Sequence, residues 1–276
     1  MFSQEVVSWF SRSVVSPHWY KGFVHIYKFA LRGMGVLNSG GNDATGEEWF
    51  LSRLAKANVK CVVDVGANLE VYGEKDLPQA QIIAFEPHPV SAKSLSAQSH
   101  SAHVKIVAQA VSNRNGWATL WDFAPDAALK HTQPTSTLAS LNQDVIEHLH
   151  GQKSIGYRVK TVTLDNALAK MGVQKVDLLK IDVEGLELAV LQGAKRLLAA
   201  HAIDLIQFEF NEMHAYQHVL FKDFVDILPD FDFFRLSAHG LIPLGLYRPL
   251  THELFGFQNV LAIAHKKRAK WLRVLS

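Results

Sequence analysis

The feature that most constrains the fold is a series of seven apolar runs of strand length, most of them separated by stretches with helical periodicity. The runs are hydrophobic throughout and do not alternate with polar residues, which is typical of parallel strands covered by helices on both faces. They are KCVVDVG at 60–66, QIIAFEP at 81–87, VKIVAQAVS at 104–112, VDLLKIDVEG at 176–185, IDLIQFEF at 203–210, DFFRLS at 232–237 and NVLAIAH at 259–265. The pattern predicts an α/β fold with a mostly parallel sheet between two layers of helices.

Three regions are distinguished along the 276 residues. Residues 1–45 are rich in aromatic and basic side chains and predict two short helices that cap the main domain. Residues 46–265 contain all the strand-like runs and predict one α/β domain, which is a normal size for this class. Residues 266–276 form a basic C-terminal tail.

Two further pairs of segments predict antiparallel additions to the parallel sheet. NGWATLWDF at 115–123 and YRVKTVTL at 157–164 have the alternation of paired strands. The segments 231–247 and 257–265 predict a hairpin-like closing strand at the far edge of the sheet. The expected sheet is therefore mostly parallel, with an antiparallel C-terminal strand.

Composition gives weak guidance on partners and location. The formal net charge is +2, which does not call for a polyanionic partner, so no nucleic acid is expected. No window reaches 18 uninterrupted apolar residues and the first residues lack a secretory pattern, so the default expectation is the cytoplasm. The basic tail at 266–276 is consistent with weak contact to an acidic membrane surface, although a solvated terminal helix is the simpler interpretation.

The densest chemical signal is VVDVGANLEVYG at 62–73, which predicts a strand, a tight glycine turn and the start of a helix. Ligands of open α/β sheets bind outside the carboxyl ends of the strands. Gly66 permits close approach of the backbone to such a ligand. Asp64 ends the strand with a carboxylate, which suits an ammonium group and would repel a pyrophosphate. This favours adenosylmethionine over a nicotinamide dinucleotide, which usually requires G-x-G-x-x-G here.

A second acid ends the next strand, about twenty residues later. Glu86 in IIAFEPHP occupies the position from which a carboxylate accepts hydrogen bonds from ribose hydroxyls. Pro87 stiffens the turn that follows and is counted with the cofactor site. A turn-capping role for Asp64 and a helix-terminus role for Glu86 are the alternatives, and together they need two coincidences.

These residues resemble the FkbM-type methyltransferases, from about Glu48 to His265. The matching pieces are DVGAN at 64–68, AFEP at 84–87, AVSNRNGWATLW at 110–121, STL at 136–138, TLDNAL at 163–168, LLKIDVEGLELAVLQGA at 178–194 and FEFNE at 208–212. The resemblance implies a Rossmann-like, seven-stranded class I methyltransferase fold with adenosylmethionine as methyl donor. It also implies O-methylation of sugars, polyketides or similar secondary metabolites, hence a small-molecule or glycan acceptor.

The same resemblance implies roles for individual positions around the cofactor. They are Asp64, Gly66 and Asn68 near the methionine and ribose, Glu86 on the ribose, Val111 and Ser112 near the adenine, and Asp182 near the transferring methyl group. The chain departs from the family pattern at Glu70, where glycine is usual, and in a segment about one turn shorter than expected. A glutamate there would crowd the cofactor unless it points to solvent, in which case Gly73 provides flexibility. The alternative function is therefore a catalytically impaired, methyltransferase-fold scaffold.

Transfer to a hydroxyl needs a general base, and acids cluster at two strand ends. The candidate catalytic residues are Asp182, Glu184, Glu209 and His214. Carboxylates on neighbouring strands raise one another's pKa toward working pH, as a base requires. Asp182, Glu209 and Asn211 would equally suit a divalent cation, so a metal stays open without being expected. A helix-terminus role for Glu184 and an incidental His214 are the alternatives.

Overall fold

The structure, a computed structural model, describes residues 3–38, 42–98, 100–128 and 134–276. Its strands are β1 (Cys61–Val65), β2 (Gln81–Phe85), β3 (Val104–Val107), β4 (Ala110–Val111), β5 (Gly116–Phe123), β6 (Ser154–Val162), β7 (Val176–Ile181), β8 (Ile203–Phe210), β9 (Phe231–Ser237), β10 (Gly240–Pro243) and β11 (Gln258–Ala264). Its α-helices are α1 (Gln4–Val14), α2 (Pro17–Gly33), α3 (Asn42–Thr45), α4 (Glu47–Leu54), α5 (Pro89–Ala97), α6 (Pro125–Ala128), α7 (Leu164–Lys170), α8 (Glu187–Gln192), α9 (Lys195–Ala199), α10 (Met213–Tyr216), α11 (Phe221–Ile227), α12 (Pro249–His252) and α13 (Arg268–Val274).

The main sheet has the strand order β10-β9-β11-β8-β7-β1-β2-β3. Strands β3, β2, β1, β7 and β8 are parallel, and β11 runs antiparallel between β8 and β9. This confirms the Rossmann-like class I methyltransferase sheet with helices on both faces and an antiparallel C-terminal strand. Alternate residues of each strand enter opposite cores: Val62 and Leu178 pack on one side, Val63 and Leu179 on the other. Burial on both faces explains why the runs are apolar throughout.

Two details of the main sheet differ from the sequence prediction. The sheet has an eighth strand, because β10 pairs with β9. The last strand is not at the edge, since β11 is inserted between β8 and β9 and every one of its residues is buried. A mostly apolar strand is best placed where neighbours cover it, whereas β10 ends in Pro243, a residue suited to an edge.

A second, three-stranded sheet has the order β4-β6-β5. Strands β5 and β6 are antiparallel, as expected from the segments 115–123 and 157–164, and β4 pairs parallel with β6. The segment after β5 returns to the sheet through a bridge between Trp121 and Ser140. The second sheet begins just after β3 in the chain. It forms one wall of the cavity that lies at the carboxyl ends of β1, β2 and β7.

The expected helix after β1 does not form. Residues 66–80 form a succession of turns, and Gly73 within them has a left-handed φ of +73°. Left-handed φ at Gly73 and the ring of Pro78 both disfavour a continuous helix. The prediction of a helix was wrong, because the apolar positions Val71, Tyr72 and Leu77 pack inward from turns instead.

The two ends of the chain also differ from expectation. None of the described side chains from residue 3 to residue 30 is buried, and the role of residues 1–45 as a cap stays a prediction; residues 1–2 and 39–41 of the predicted cap lie outside the described residues. The predicted tail is a helix, α13, whose Trp271 is fully buried and whose indole Nε1 lies 3.2 Å from Asp204 Oδ2. Its basic side chains occupy the exposed face. In the described part of the chain, the helices are too short or too polar to cross a membrane.

Candidate active site

A cavity of about 530 Å³ lies at the carboxyl ends of β1, β2 and β7. This is the edge at which open α/β sheets bind ligands, and the volume is within the range of small-molecule sites. Eight of the predicted site residues line it: Asp64, Gly66, Asn68, Glu86, Pro87, Val111, Asp182 and Glu184. Ser112, Glu209 and His214 are not among its lining residues.

The turn after β1 is fixed by contact with the turn after β7. Gly66 has φ +94°, and a Cβ there would lie 1.8 Å from the carbonyl oxygen of Asp182. Only glycine fits this approach of two backbones. The requirement for glycine therefore comes from the protein itself, not only from a ligand as the sequence suggested. The carboxylate of Asp64, just before the turn, is buried and accepts a hydrogen bond from the backbone N–H of Tyr72 at 2.9 Å.

The acid at the end of β2 is held by two backbone donors. Glu86 Oε2 accepts from the N–H of Asn68 at 2.7 Å, and Oε1 accepts from the N–H of His88 at 2.6 Å. Asn68 has φ +53°, a conformation that asparagine tolerates better than most residues. Each carboxylate oxygen accepts more than one hydrogen bond, so Glu86 keeps acceptor capacity toward the cavity. Burial raises its pKa despite these two hydrogen bonds.

Asp64 is not an ordinary carboxylate. Burial raises its pKa to about 7, the nearby acids Asp182 and Glu86 add to the rise, and the Tyr72 N–H and the Lys180 ammonium oppose it. The ionised form is therefore costly while no cation occupies the cavity.

Most of the charged side chains that line the cavity are acidic. Its acidic residues are Glu47, Asp64, Glu70, Glu86, Asp182 and Glu184, and its basic residue is Lys180. Such a lining attracts a cationic ligand and repels a phosphorylated one. A sulfonium nucleoside with an ammonium group meets this condition, whereas a pyrophosphate does not.

A buried polar network behind the cavity was missed by the sequence analysis. Lys180 Nζ lies 2.8 Å from Asp182 Oδ2 and 3.6 Å from Glu47 Oε1. The hydroxyl of Tyr72 donates to Gln207 Oε1 at 2.7 Å, and Gln207 Nε2 donates to Glu47 Oε1 at 2.7 Å. Although burial opposes it, the carboxylates of Asp182 and Glu47 raise the pKa of Lys180, so it stays a cation. This network holds Asp182 in place.

The turn after β7 brings a second titratable acid to the cavity. Glu184 is half-buried and has φ +55°, a strained conformation for a glutamate, and its carbonyl oxygen accepts a hydrogen bond from Ser140 Oγ at 2.8 Å. Strain of this kind persists where the surroundings impose it, often at functional sites. Burial and the neighbouring carboxylates of Asp182 and Glu209 raise the pKa of Glu184 well above its ordinary value.

Glu209 lies behind this acid and not in the cavity wall. Its Oε1 accepts a hydrogen bond from Asn211 Nδ2. Burial and the charges of Asp182 and Glu187 raise the pKa of Glu209 well above its ordinary value. The charge of Glu209 therefore adds to the rise in the pKa of Glu184, and of these two acids only Glu184 lines the cavity.

His214 was predicted as a possible base, but it is enclosed in the core. It is fully buried, and its Nδ1 accepts a hydrogen bond from the N–H of Asn211 at 3.2 Å. Its Nε2 lies 2.9 Å from Glu187 Oε2. Glu187 Oε1 in turn accepts from the N–H groups of Val183 and Gly185. The histidine thus supports the turn after β7 and does not contact the cavity.

The remaining predictions concern the adenine side, the metal and Glu70. Val111 lines the cavity, whereas Ser112 uses its N–H to bond the carbonyl of Val162 in β6. In the described residues no three His, Cys, Asp or Glu side chains are grouped as metal ligands. Glu70 has a side chain 74% exposed and pairs with Lys75, so it does not crowd the cavity interior.

The far wall of the cavity is of a different character. It comes from β5 and from residues 136–141, which follow β5 in the chain. It combines apolar side chains with hydroxyl groups. Its residues are Leu120, Ser136, Thr137, Ala139 and Leu141. A mixed wall of this kind suits an acceptor that carries both hydroxyl and apolar groups.

Comparison with known proteins adds family information to this geometry. The model of the Methyltransferase FkbM domain matches residues 64–235. The 2-O-methyltransferase NoeI of Sinorhizobium fredii is 24% identical over 184 residues, which is 65% of this chain and 75% of that protein. The 31-O-demethyl-FK506 methyltransferase FkbM of Streptomyces tacrolimicus is 34% identical over 155 residues, 49% of this chain and 59% of that protein. The chain therefore spans less than two thirds of that second relative.

Solved structures give a weaker likeness. The crystal structure of a methyltransferase FkbM from Methylobacillus flagellatus aligns at 12% identity with a TM-score of 0.42, over 74% of this chain and 43% of that one.

Proposed function

Because the chain belongs to the FkbM methyltransferase family, we propose that it is an adenosylmethionine-dependent enzyme that methylates a hydroxyl of a sugar, a glycan or a secondary metabolite. The observation that carries the proposal is the acid-lined cavity at the ends of β1, β2 and β7, where Asp64 and Glu86 face one space. Methylation of an oxygen is consistent with the names of the two relatives, a 2-O-methyltransferase and a 31-O-demethyl-FK506 methyltransferase.

Two acids bind the donor in this proposal. Asp64 attracts the ammonium group of the methionine part, and Glu86 accepts hydrogen bonds from the ribose hydroxyls. Asn68 and Pro87 shape the turns beside them, and Val111 contacts the adenine. Adenosylmethionine supplies, when bound, a methyl group on a cationic sulfur. Asp182, held by Lys180 at 2.8 Å, places a negative charge near this sulfur.

Glu184 accepts the acceptor's proton. An unassisted hydroxyl is a poor nucleophile, and a positioned base contributes roughly 10² to 10⁴-fold. Glu184 reaches the cavity and has a raised pKa, so it binds a proton far more readily than an exposed glutamate. Bound adenosylmethionine would supply the methyl group to the acceptor oxygen and keep the electrons of the broken carbon–sulfur bond on sulfur, and Glu184 would take the proton of the acceptor hydroxyl. Glu209 tunes this pKa from behind.

Two measurements test the proposal. Titration calorimetry at pH 8 compares adenosylmethionine with NAD, and the acid lining requires binding of the first and none of the second. A transfer assay with methyl-labelled donor then compares sugar, glycan and polyketide hydroxyl acceptors. Binding of NAD, or no binding of adenosylmethionine, contradicts the proposed donor.

One observation favours a second candidate, a catalytically impaired scaffold. The segment 66–80 lacks the expected helix, so the backbone N–H groups of a helix terminus are not offered to the methionine carboxylate. Calorimetry separates the two candidates, since the scaffold does not bind adenosylmethionine.

A further inference from the structure

The first two helices expose an apolar surface that the main domain leaves uncovered. We call α1 and α2 together (Gln4–Gly33) the helical arm. Large side chains that a water-soluble surface seldom groups together are exposed along it, including Trp9 at 65%, Trp19 at 61%, Ile26 at 62% and Tyr27 at 56%. Contiguous exposed apolar surface of this kind marks a binding face.

The arm separates its apolar and cationic side chains by helix geometry. In α2, Trp19, Phe23, Ile26 and Ala30 follow the spacing i, i+4, i+7, i+11. The basic set repeats the same spacing two residues later: Lys21, His25, Lys28 and Arg32. Two residues correspond to about 200° around a helix, so the two sets occupy opposite faces. In α1, Phe10 packs edge-to-face against Phe23 with ring centroids 6.0 Å apart, which joins the apolar faces of the two helices.

Charge along the arm is almost all of one sign, since Glu5 is its one acid. From Val6 to Asn42 the sequence contains four lysines and arginines and no aspartate or glutamate, in a chain whose overall formal charge is only +2. The arm of a second copy would bring the same cations and only Glu5 to pair with them. An amphipathic helix with lysine and arginine on one face and tryptophan and phenylalanine on the other is the pattern of interfacial membrane binding.

We propose that the helical arm binds the surface of an anionic phospholipid bilayer. The apolar face enters the boundary between headgroups and acyl chains, and Lys21, Lys28 and Arg32 contact the phosphates. Tryptophan and tyrosine are favoured at this depth because one end of each ring system is apolar and the other is polar. This surface is distinct from the cavity and does not depend on the proposed function. The proposed membrane contact is the helical arm and not the basic segment 266–276, because the apolar side chains Trp271 and Leu275 of that segment are buried in the protein.

Vesicle flotation with the full chain tests the proposal. Vesicles of phosphatidylcholine alone are compared with vesicles of equal parts phosphatidylcholine and phosphatidylglycerol. The wild type is expected to float with the anionic vesicles and to be released by high salt, and the indole fluorescence shifts to the blue on binding. Failure to float with anionic vesicles, or equal binding to neutral ones, overturns the proposal.

Paired variants assign the binding to the arm. Lys21→Gln with Lys28→Gln is expected to weaken partitioning about 10- to 30-fold, at roughly 1 kcal/mol for each cation. Trp19→Ser with Phe23→Ser is expected to weaken it at least about tenfold. Lys266→Gln with Lys267→Gln is the matched control and leaves partitioning unchanged. A large loss in the control, or none in the arm variants, overturns the assignment.

Two further measurements test whether the variants stay folded and whether a second copy of the chain covers the arm. Thermal unfolding of each variant is expected to match the wild type, because the side chains changed in the arm are exposed. Light scattering after size exclusion reports whether a second copy covers the arm instead. A wild-type dimer that Trp19→Ser with Phe23→Ser converts to a monomer, without vesicle binding by either, overturns the proposal.

Discussion

Replacing Asp64 by asparagine should make the unliganded protein more stable and the donor complex weaker. The carboxylate has a pKa of about 7, against an ordinary value of 3.8. An acid whose pKa is raised by folding contributes stability only while it is protonated, and this contribution is lost as pH rises from 3.8 toward 7. The amide cannot ionise, and its oxygen still accepts the hydrogen bond from Tyr72.

The two pKa values set the size of the effect. Their difference corresponds to about 4 kcal/mol above pH 7, at 1.36 kcal/mol for each tenfold change. At pH 5.5 the same relation gives about 2 kcal/mol. We therefore expect Asp64→Asn to raise the free energy of unfolding, with a gain about 2 kcal/mol larger at pH 8 than at pH 5.5. Loss of a charge-assisted contact should weaken adenosylmethionine binding by roughly 10- to 100-fold.

Denaturant unfolding of the unliganded protein at pH 5.5 and pH 8, with calorimetry at pH 8, measures both effects. Asp177→Asn is the control, since Asp177 is a buried acid of the same sheet at the opposite ends of β7 and β1, where it accepts from the N–H groups of Lys60 and Cys61. It should leave donor binding unchanged. If Asp64→Asn destabilises the unliganded protein at pH 8 or binds the donor as the wild type does, the assignment of a cation-binding carboxylate is refuted.

Four other predictions follow from the site. Glu184→Gln should lower kcat roughly 10²-fold or more while leaving donor affinity within about twofold, in a labelled-methyl assay with calorimetry. Glu209→Gln should move the acid limb of the pH–rate profile to lower pH, because it removes a negative neighbour of the base; an unmoved limb argues against coupling. Gly66→Ala should cost about 3 kcal/mol or more in denaturant unfolding, whereas Gly172→Ala, also at positive φ but in open space, should cost about 1 kcal/mol. Glu70→Gly should change donor affinity less than about twofold, and a large loss would show that Glu70 contacts the ligand.

The central strands could be predicted because they are buried on both faces, which leaves a local record in the sequences of β1, β7, β8 and β11. Their order could not be read in the same way. The run at 259–265 looks like any other, yet β11 enters the sheet between β8 and β9 because its neighbours there cover it completely. The turns at 66–80 were also missed, although Gly73 and Pro78 were visible signals against a helix.

The candidate site, too, could be predicted only in part from the sequence. Asp64 and Glu86 were found because a carboxylate at a strand end is conspicuous in the sequence. The Lys180 network was missed because its partners are distant, Gln207 and Glu47 being 160 residues apart. One signal was available: Asp64, Lys180 and Gln207 are polar residues inside three apolar runs, and they lie at the same register across β1, β7 and β8. The burial of His214 against Glu187 was also missed, because it is a tertiary contact that no spacing reveals.

In the proposed reaction, the acids of the cavity also keep its total charge constant. A bound sulfonium donor places a positive charge among carboxylates, which favours the ionised forms of Asp64 and Glu184. Transfer removes that positive charge from sulfur, and the acceptor's proton arrives on Glu184, so the total charge in the cavity does not change. The raised pKa of Glu184 makes this final state favourable, because the neighbouring carboxylates disfavour its ionised form once the cation is consumed. The same acids therefore attract the donor and accept the proton, without a metal ion being required by this charge balance.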